Sequence, residues 1–430
     1  MSIFQENEIV GQYLRFRTEF PKSRCVKINL LKASSGPIFE KQIHKHLKES
    51  IQKGQISSLK ELDFVYSNKD KTRIVQNTLI KMLSTLKFFN SFDEDKKIKE
   101  PPSTFVWCHF FLATHLDKMG KHEKALDIIE TVIKTDQDDI DLLLLKAKIL
   151  KHKGELERAV EVINTAQKLD PTDKDLACKC GKYLIRAGHI NEGVELIKSF
   201  DPKNDQENDS PCHWLLLELA KAYLKQGDLR SCIKKCIELR QSFESIWEDQ
   251  LDFHVFGLTR MRLCHYVEML RFEDTLYQDK HYQEAAEIAI DVLLKLNDGE
   301  TTEVKDKNNN LVVNGSKKKG KGKKKNVSTE LKQNEAYEDI VKDPLKEAAK
   351  FLKPLEEAAS DKLSTHMLSF EISLRRKRPL KMLQAVTRLQ TIDKSCPKVV
   401  ETVTRFYDYI SKHRSSLSEP VITVIKQINV

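Results

Sequence analysis

The stretch "MGKHEKALDII", residues 119–129, is followed by two relatives of itself, "KGELERAVEVI" at 153–163 and "AGHINEGVELI" at 187–197. The copies share a glycine at a constant interval of 34 residues: Gly120, Gly154 and Gly188. Apolar residues recur in each copy at helical spacing, and the glycine stands where a first helix would end. The chain therefore contains an internal repeat of paired helices.

Small residues occupy two further positions of this repeat. One is filled by Ala113, Ala147 and Gly181, and the other by Ala125, Ala159 and Gly193. Small side chains let two helices approach closely, and a period of 34 residues with this pattern is the signature of the tetratricopeptide (TPR) repeat. A fourth copy matches 39 residues later, and the extra residues predict a surface loop over 201–211.

We predict an all-α fold, a TPR-type α-solenoid of antiparallel helix pairs. The predicted segments are degenerate helical repeats at 1–100, a TPR array at 101–297, a disordered Lys-rich linker at 298–335 and a C-terminal helical repeat segment at 336–430. Weaker helix patterns occur as a pair around Gly54 (39–66), as a second helix at 280–296 and as a pair at 366–397.

Composition points to an intracellular chain. Hydrophobic residues are 40% and charged residues 32% of the sequence, and no stretch reaches about 18 apolar residues. The start of the chain lacks the apolar core of a signal peptide. The nine cysteines are scattered, and the close pairs Cys178/Cys180 and Cys232/Cys236 have no second pair at zinc-site spacing. We predict free thiols, no metal site, no membrane contact and a cytoplasmic location, with a nuclear location left open.

Seven lysines supply most of the formal net charge of +9. They are Lys317, Lys318, Lys319, Lys321, Lys323, Lys324 and Lys325. The spacing of Gly315, Gly320 and Lys321 imitates a phosphate-binding loop, but Gly322 stands where such a loop has the Ser or Thr that contacts magnesium. The same stretch also imitates an acetyl-CoA-binding motif, and we interpret both matches as accidents of a tract rich in Lys and Gly. A solvated spacer, a nuclear localisation signal and a contact with a polyanion such as ribosomal RNA are the three interpretations left open.

Catalytic motifs are lacking. Histidines and acidic residues are plentiful, but none forms a recognisable metal, triad or cofactor pattern. We predict a scaffold that is not an enzyme and has no cofactor of its own.

Three segments carry a family resemblance, and one of them, 248–274, lies outside the repeat consensus. The stretch "EDQLDFHVFGLTRMRLCHYVEMLRFED" (248–274), together with 100–121 and 144–159, resembles the auxiliary subunit of the N-terminal acetyltransferase A complex. The Lys-rich linker followed by 343–372 is similar as well. Family chains are about twice as long, so this sequence resembles their C-terminal half.

The resemblance implies a function in protein acetylation. It implies a helical solenoid that wraps a small catalytic subunit, which uses acetyl-CoA to acetylate the α-amine of nascent chains. It also implies a tether to the ribosome, in which we expect the Lys run to contact ribosomal RNA. We predict no DNA partner. Finally, it implies an inositol hexakisphosphate site at the subunit interface. The matching positions are Lys148, Lys151, His152, Lys179, Lys182 and Tyr183.

Two other functions remain open from the residues alone. One is a TPR co-chaperone or peptide-binding adaptor that clamps acidic C-terminal peptides, and the other is an RNA-binding scaffold that acts through the Lys tract. Residues 248–274 and the long linker favour the acetyltransferase scaffold, because a simple peptide clamp needs neither.

Overall fold

Helices joined by short turns make up the computed structural model, which describes residues 3–92, 99–134, 138–200, 212–299, 342–414 and 417–427. The described residues contain no β-strand. The chain forms two compact units, residues 1–201 and 202–430. The prediction of an all-α, TPR-type α-solenoid is confirmed within these units.

Unit 1 consists of helices and one 3₁₀ turn at Asp63–Ser67. The helices are α1 (Ile3–Glu19), α2 (Arg24–Ala33), α3 (Gly36–Gln52), α4 (Ser58–Glu61), α5 (Lys69–Phe89), α6 (Pro102–Lys118), α7 (His122–Ile133), α8 (Ile140–Lys153), α9 (Leu156–Leu169), α10 (Lys174–Ala187) and α11 (Ile190–Ser199).

Unit 2 likewise consists of helices, with a 3₁₀ turn at Leu276–Gln278. The helices are α12 (His213–Gln226), α13 (Leu229–Glu248), α14 (Gln250–Arg260), α15 (Leu263–Asp274), α16 (Lys280–Asn297), α17 (Pro344–Ala358), α18 (Leu363–Arg375), α19 (Pro379–Ile392), α20 (Pro397–His413) and α21 (Glu419–Gln427).

The ends of α8 and α10 repeat each other in backbone detail. Asp139 and Asp173 precede these helices with the same backbone angles, φ −75° and ψ 110°. Each carboxylate accepts hydrogen bonds from the N–H groups two and three residues later. Gly154 and Gly188 follow the helices at φ +95° and +104°, a region that favours glycine. The residues that cap the two helices therefore recur at the same 34-residue interval as the sequence repeat.

The two positions that hold small residues lie where the helices of a pair cross. Ala147 and Ala159, in α8 and α9, are fully buried. In the next pair the backbones come closest, because a Cβ added to Gly193 would lie 2.7 Å from the Gly181 carbonyl oxygen. Real Cβ atoms do not approach this near, so a small residue is required at the crossing.

The predicted helix pair over 39–66 was wrong in its second half. The first helix is α3, and Gly54 follows it at φ +59° with the Trp107 ring packed where a side chain would start. Instead of a second long helix, the chain forms α4 and the 3₁₀ turn. The next long helix, α5, begins after Asn68, whose side chain accepts hydrogen bonds from the N–H groups of Asp70 and Lys71. The other two weak patterns match helices, α16 and the pair α18 and α19.

Unit 2 packs around α16. Tyr282 of α16 is buried, and its hydroxyl donates a 3.5 Å hydrogen bond to the Phe351 carbonyl in α17. Arg240 of α13 lies over the Phe351 ring and reaches Glu347 at 3.1 Å. These contacts hold α17 in the same core as the helices that precede residue 300.

The predicted linker and the predicted loop over 201–211 lie largely or wholly outside the described residues. The division into four segments stays a prediction, since the boundary between the two compact units falls at 201/202, within the predicted TPR array. Among the described helices, none is long and apolar enough to cross a bilayer.

We expect Gly193→Ala to destabilise unit 1 by about 1–3 kcal/mol, since the new methyl group overpacks the helix crossing. Gly11→Ala is the matched control, because nothing lies within 4 Å of a Cβ added there. It should be neutral or stabilise α1 by up to about 1 kcal/mol through helix propensity. Urea unfolding monitored by circular dichroism measures both. Equal stabilisation by the two substitutions would show that the crossing tolerates a side chain.

Candidate functional site

A basic cavity lies on the first helices of the repeats in unit 1. It has a volume of about 360 Å³ and is lined by side chains from α4, α6, α8 and α10. Its apolar floor includes Leu59, Phe110 and Leu145. The charged lining consists of five lysines and one carboxylate: Lys60, Lys118, Lys148, Lys151, Lys179 and Asp141. Such an excess of positive charge in a concave site favours an anionic ligand.

The charges of the lining act on one another. Burial, followed by the neighbouring charges of Arg186 and Lys148, lowers the pKa of Lys151 below its ordinary value. Burial and the nearby Asp139 raise the pKa of Asp141, which Lys179 opposes. Cations held close together without enough counter-charge raise the free energy of the free protein, and a polyanion would relieve that repulsion.

Tyr183 forms one wall of the cavity. The Lys151 ammonium lies 5.9 Å from the centre of the Tyr183 ring, in the range of a cation–π contact. Burial raises the pKa of the Tyr183 hydroxyl to about 12, so the hydroxyl stays a neutral hydrogen-bond donor at physiological pH. The pair fixes the Lys151 side chain beside the cavity.

The structure brings together four of the six residues implied by the resemblance, since Lys148, Lys151, Lys179 and Tyr183 line the same cavity. The other two do not line it. His152 instead donates from Nδ1 to the buried Asp117 carboxylate at 2.8 Å. Lys182 lies close enough to help lower the pKa of Lys151. No finding tests the assignment of these residues to an anion, which stays a prediction.

Two lysines of the lining were missed in the sequence. Lys118 stands 34 residues before His152, so the repeat itself could have indicated it. Its ammonium pairs with Asp63, donates to the Leu59 carbonyl at 3.1 Å and lies 5.1 Å from the centre of the Tyr66 ring. Lys60 lies on α4, outside the repeat, and no periodic signal pointed to it.

An apolar surface on α14 and α15 is the main candidate site in unit 2. These helices pack on each other where the Tyr266 ring covers Gly257 and the Tyr266 hydroxyl lies 3.3 Å from His254 Nδ1. Three large apolar side chains of these two helices are exposed to solvent: Val255 is 68%, Leu258 70% and Leu263 76% exposed. A cluster of such exposure marks an interaction surface.

The seven lysines of the predicted polyanion contact, Lys317 to Lys325, lie outside the described residues. Their role therefore stays a prediction from the sequence.

Fold and sites together define a class of protein: a TPR-type α-solenoid that carries a basic cavity and an exposed apolar surface, which is the design of a binding scaffold. The family described as N-terminal acetyltransferase A, auxiliary subunit, matches residues 2–340 and 339–389. The chain belongs to this family, and the resemblance seen in the sequence is confirmed.

Individual relatives agree. The human protein N-alpha-acetyltransferase 16, NatA auxiliary subunit, is 32% identical over 462 residues, which cover 96% of this chain and 53% of the relative. The N-terminal acetyltransferase A complex auxiliary subunit NAA15 of Arabidopsis thaliana is 29% identical over 436 residues, or 94% of this chain and 48% of the relative. The chain spans about half the length of the curated relatives it matches.

A solved structure shares the fold. The structure of Naa15/Naa10 bound to HypK-THB superposes with a TM-score of 0.79 at 24% identity and covers 99% of this chain and 60% of that one.

Proposed function

We propose that the chain is a non-catalytic scaffold of a protein N-terminal acetyltransferase, which binds and shapes a catalytic subunit. The relatives are auxiliary subunits by name, and the solved homologous fold is that of Naa15/Naa10 bound to HypK-THB. The observation that carries the proposal is the exposed apolar surface of α14 and α15, which lies in the segment 248–274 that carries the resemblance.

The chemistry of this surface fits a permanent protein partner. Val255, Leu258 and Leu263 expose branched aliphatic side chains, and Trp247 at the end of α13 is 54% exposed. Burial of such side chains contributes about 1.5–3 kcal/mol each. Obligate interfaces are rich in residues of this kind, whereas a clamp for acidic peptides needs cationic and amide groups instead.

A double substitution tests the surface. Leu258→Asp with Leu263→Asp should abolish co-purification of the catalytic subunit from the same organism, because two charges would be buried without partners. Val400→Asp is the matched control, since Val400 is 53% exposed on α20, outside the proposed interface. Retention of the partner by the double variant, with the control also binding, would place the interface elsewhere.

We expect the chain to supply no acetyl transfer by itself. Incubation of the purified chain with acetyl-CoA and a peptide that starts with Ser or Ala should give no product by mass spectrometry. Addition of the catalytic subunit should restore product formation. Turnover by the chain alone would contradict the scaffold role.

We further propose that the basic cavity of unit 1 binds a polyphosphate, with inositol hexakisphosphate as the probe. Five lysines and the Tyr183 hydroxyl supply donors around a volume in the range of small-molecule sites. Asp141 is the carboxylate of the lining and Asp63 pairs with Lys118, which still leaves three of the five lysine charges without a carboxylate. A ligand with several phosphates would therefore balance the charge better than one with a single phosphate. Acetyl-CoA, by this proposal, is used by the catalytic partner.

Charge reversal tests the cavity. Lys148→Glu with Lys179→Glu should weaken inositol hexakisphosphate binding by calorimetry at least about tenfold, since each reversal costs on the order of 1 kcal/mol or more. Lys381→Glu with Lys398→Glu, on exposed positions of unit 2, makes the same change in net charge. Lys182→Glu should weaken binding less than Lys179→Glu, because Lys182 does not line the cavity. Equal losses in all variants would show a non-specific charge effect.

We also propose that the lysine run from Lys317 to Lys325 contacts ribosomal RNA in the cytoplasm. Clustered lysines bind phosphate backbones without reading sequence, and they lose affinity steeply with added salt. The relatives are by name auxiliary subunits of an N-terminal acetyltransferase. Protein N-termini first become available at the ribosome, which supports the proposal. This proposal depends neither on the basic cavity of unit 1 nor on the apolar surface of α14 and α15.

A variant with all seven lysines changed to Gln should co-sediment less with ribosomes at low salt while it still co-purifies with the catalytic subunit. Added salt should reduce sedimentation of the parent and have little effect on the variant. Unchanged sedimentation would leave a spacer or a nuclear signal, which fluorescence imaging of the tagged chain distinguishes.

A further inference from the structure

Two histidines converge on one buried carboxylate in unit 1. Asp117, near the end of α6, has a side chain with no exposed surface. His122 Nδ1 lies 2.9 Å from its Oδ1 atom. His152 Nδ1 lies 2.8 Å from Oδ2 and 3.0 Å from Oδ1. The ligand-type atoms of the three residues all lie within 4.8 Å of one another.

The fold builds this cluster from two repeats. Gly120, at φ +74°, turns the chain sharply between α6 and α7, so that Asp117 and His122 face each other across the turn. His152 comes from the last turn of α8, the first helix of the next repeat. The three side chains are therefore fixed by backbone elements rather than by a long loop, as a metal site requires.

We propose that Asp117, His122 and His152 bind a divalent transition metal, with Zn²⁺ as the favoured ion. Two imidazole nitrogens and one carboxylate oxygen are ligands typical of zinc, and a water molecule would complete four-coordination. The three residues follow no motif of fixed zinc-site spacing, which is why the sequence alone predicted no metal site.

The separations between the carboxylate and the two imidazoles need only a small adjustment. Tetrahedral zinc with bonds of about 2.1 Å holds its ligand atoms about 3.4 Å apart. The observed N···O separations of 2.8–3.0 Å would open by about half an ångström. Each imidazole would bind through Nδ1 as the neutral form with its proton on Nε2. The metal takes the place of the two Nδ1 protons that now bridge to the carboxylate.

The burial of Asp117 and the partial exposure of the two histidines are also compatible with a bound metal ion. A carboxylate held away from water is costly without compensating charge, and a divalent cation supplies it. The histidine side chains are 27% and 35% exposed, so an ion can enter from solvent. Lys151 lies nearby and opposes the cation, which predicts weaker binding than in a closed structural zinc site.

Other carboxylates of the described chain lack this arrangement. Asp279 lies 3.0 Å from His281 Nδ1, and Glu157 and Glu273 each lie 3.3 Å from one histidine nitrogen. Within the described ranges, Asp117 alone joins two imidazoles into a group of three ligands. His281 therefore provides a matched control, an imidazole beside an aspartate without the third ligand.

The experiment uses the full chain, stripped with EDTA, in phosphate-free buffer with a phosphine reductant. Titration with Zn²⁺ against a chromogenic chelator should show one site that His122→Gln or His152→Gln weakens at least tenfold. His281→Gln should bind as the parent does. Co²⁺ should give visible bands of nitrogen and oxygen ligation, which separate this site from the nine cysteines through the absence of thiolate charge-transfer bands.

Stability supplies a second measurement. Zn²⁺ should raise the melting temperature of the parent and of His281→Gln but not of the His122→Gln, His152→Gln double variant, because a ligand stabilises only the state that binds it. The melt without metal shows whether the double variant is folded, and a folded double variant with parental zinc affinity would overturn the proposal. Absence of zinc binding by the parent would overturn it as well.

Discussion

The close crossing of the two helices in each repeat is the constraint on which the rest of unit 1 depends. Where α10 meets α11, the backbones approach so nearly that neither Gly181 nor Gly193 has room for a Cβ atom. In the preceding pair the same positions hold the fully buried Ala147 and Ala159. The crossing fixes the distance between the two helices of each pair. The first helices of successive pairs can therefore lie side by side. The cavity lined by side chains of α6, α8 and α10 is a result of that stacking.

A cluster of lysines on neighbouring helices opposes folding, since like charges repel. Burial first, and then the charges of Arg186 and Lys148, lower the pKa of Lys151. Burial of apolar side chains beneath the cavity, such as Phe110 and Leu145, offsets the repulsion. Natural proteins commonly depart from the rules of local stability at functional sites and compensate for this elsewhere in the structure.

Much of the fold of unit 1 could be predicted, because each repeat carries small residues where its helices cross and a glycine at the turn between them. Gly154 and Gly188 adopt the positive φ values that their positions implied. The sequence did not reveal that α4 replaces a long helix, because that change depends on Trp107 packing against Gly54, 53 positions earlier in the chain. Lys60 enters the cavity through the same irregular element.

The candidate sites were less predictable, because their residues come from separate helices and meet only in the folded structure. The family resemblance indicated Lys148, Lys151, Lys179 and Tyr183, which share one cavity. It also indicated His152, whose nearest contact is Asp117, 35 positions earlier. Sequence spacing alone does not show that contact, because it depends on how far one repeat is rotated against the next.

The docking of α17 has a consequence for the integrity of the chain. Tyr282 and Arg240 precede residue 300, and their contacts with Phe351 and Glu347 cross to the segment that follows residue 341. Asp298 and Arg375 add a paired hydrogen bond across the same interval, with Nε to Oδ1 at 2.9 Å. Cleavage of the backbone between residues 300 and 341 would therefore leave two fragments that share one apolar core. Unit 2 is stabilised by side-chain packing across this interval as well as by its peptide bonds. A chain cleaved there would therefore remain assembled although it was no longer covalently continuous.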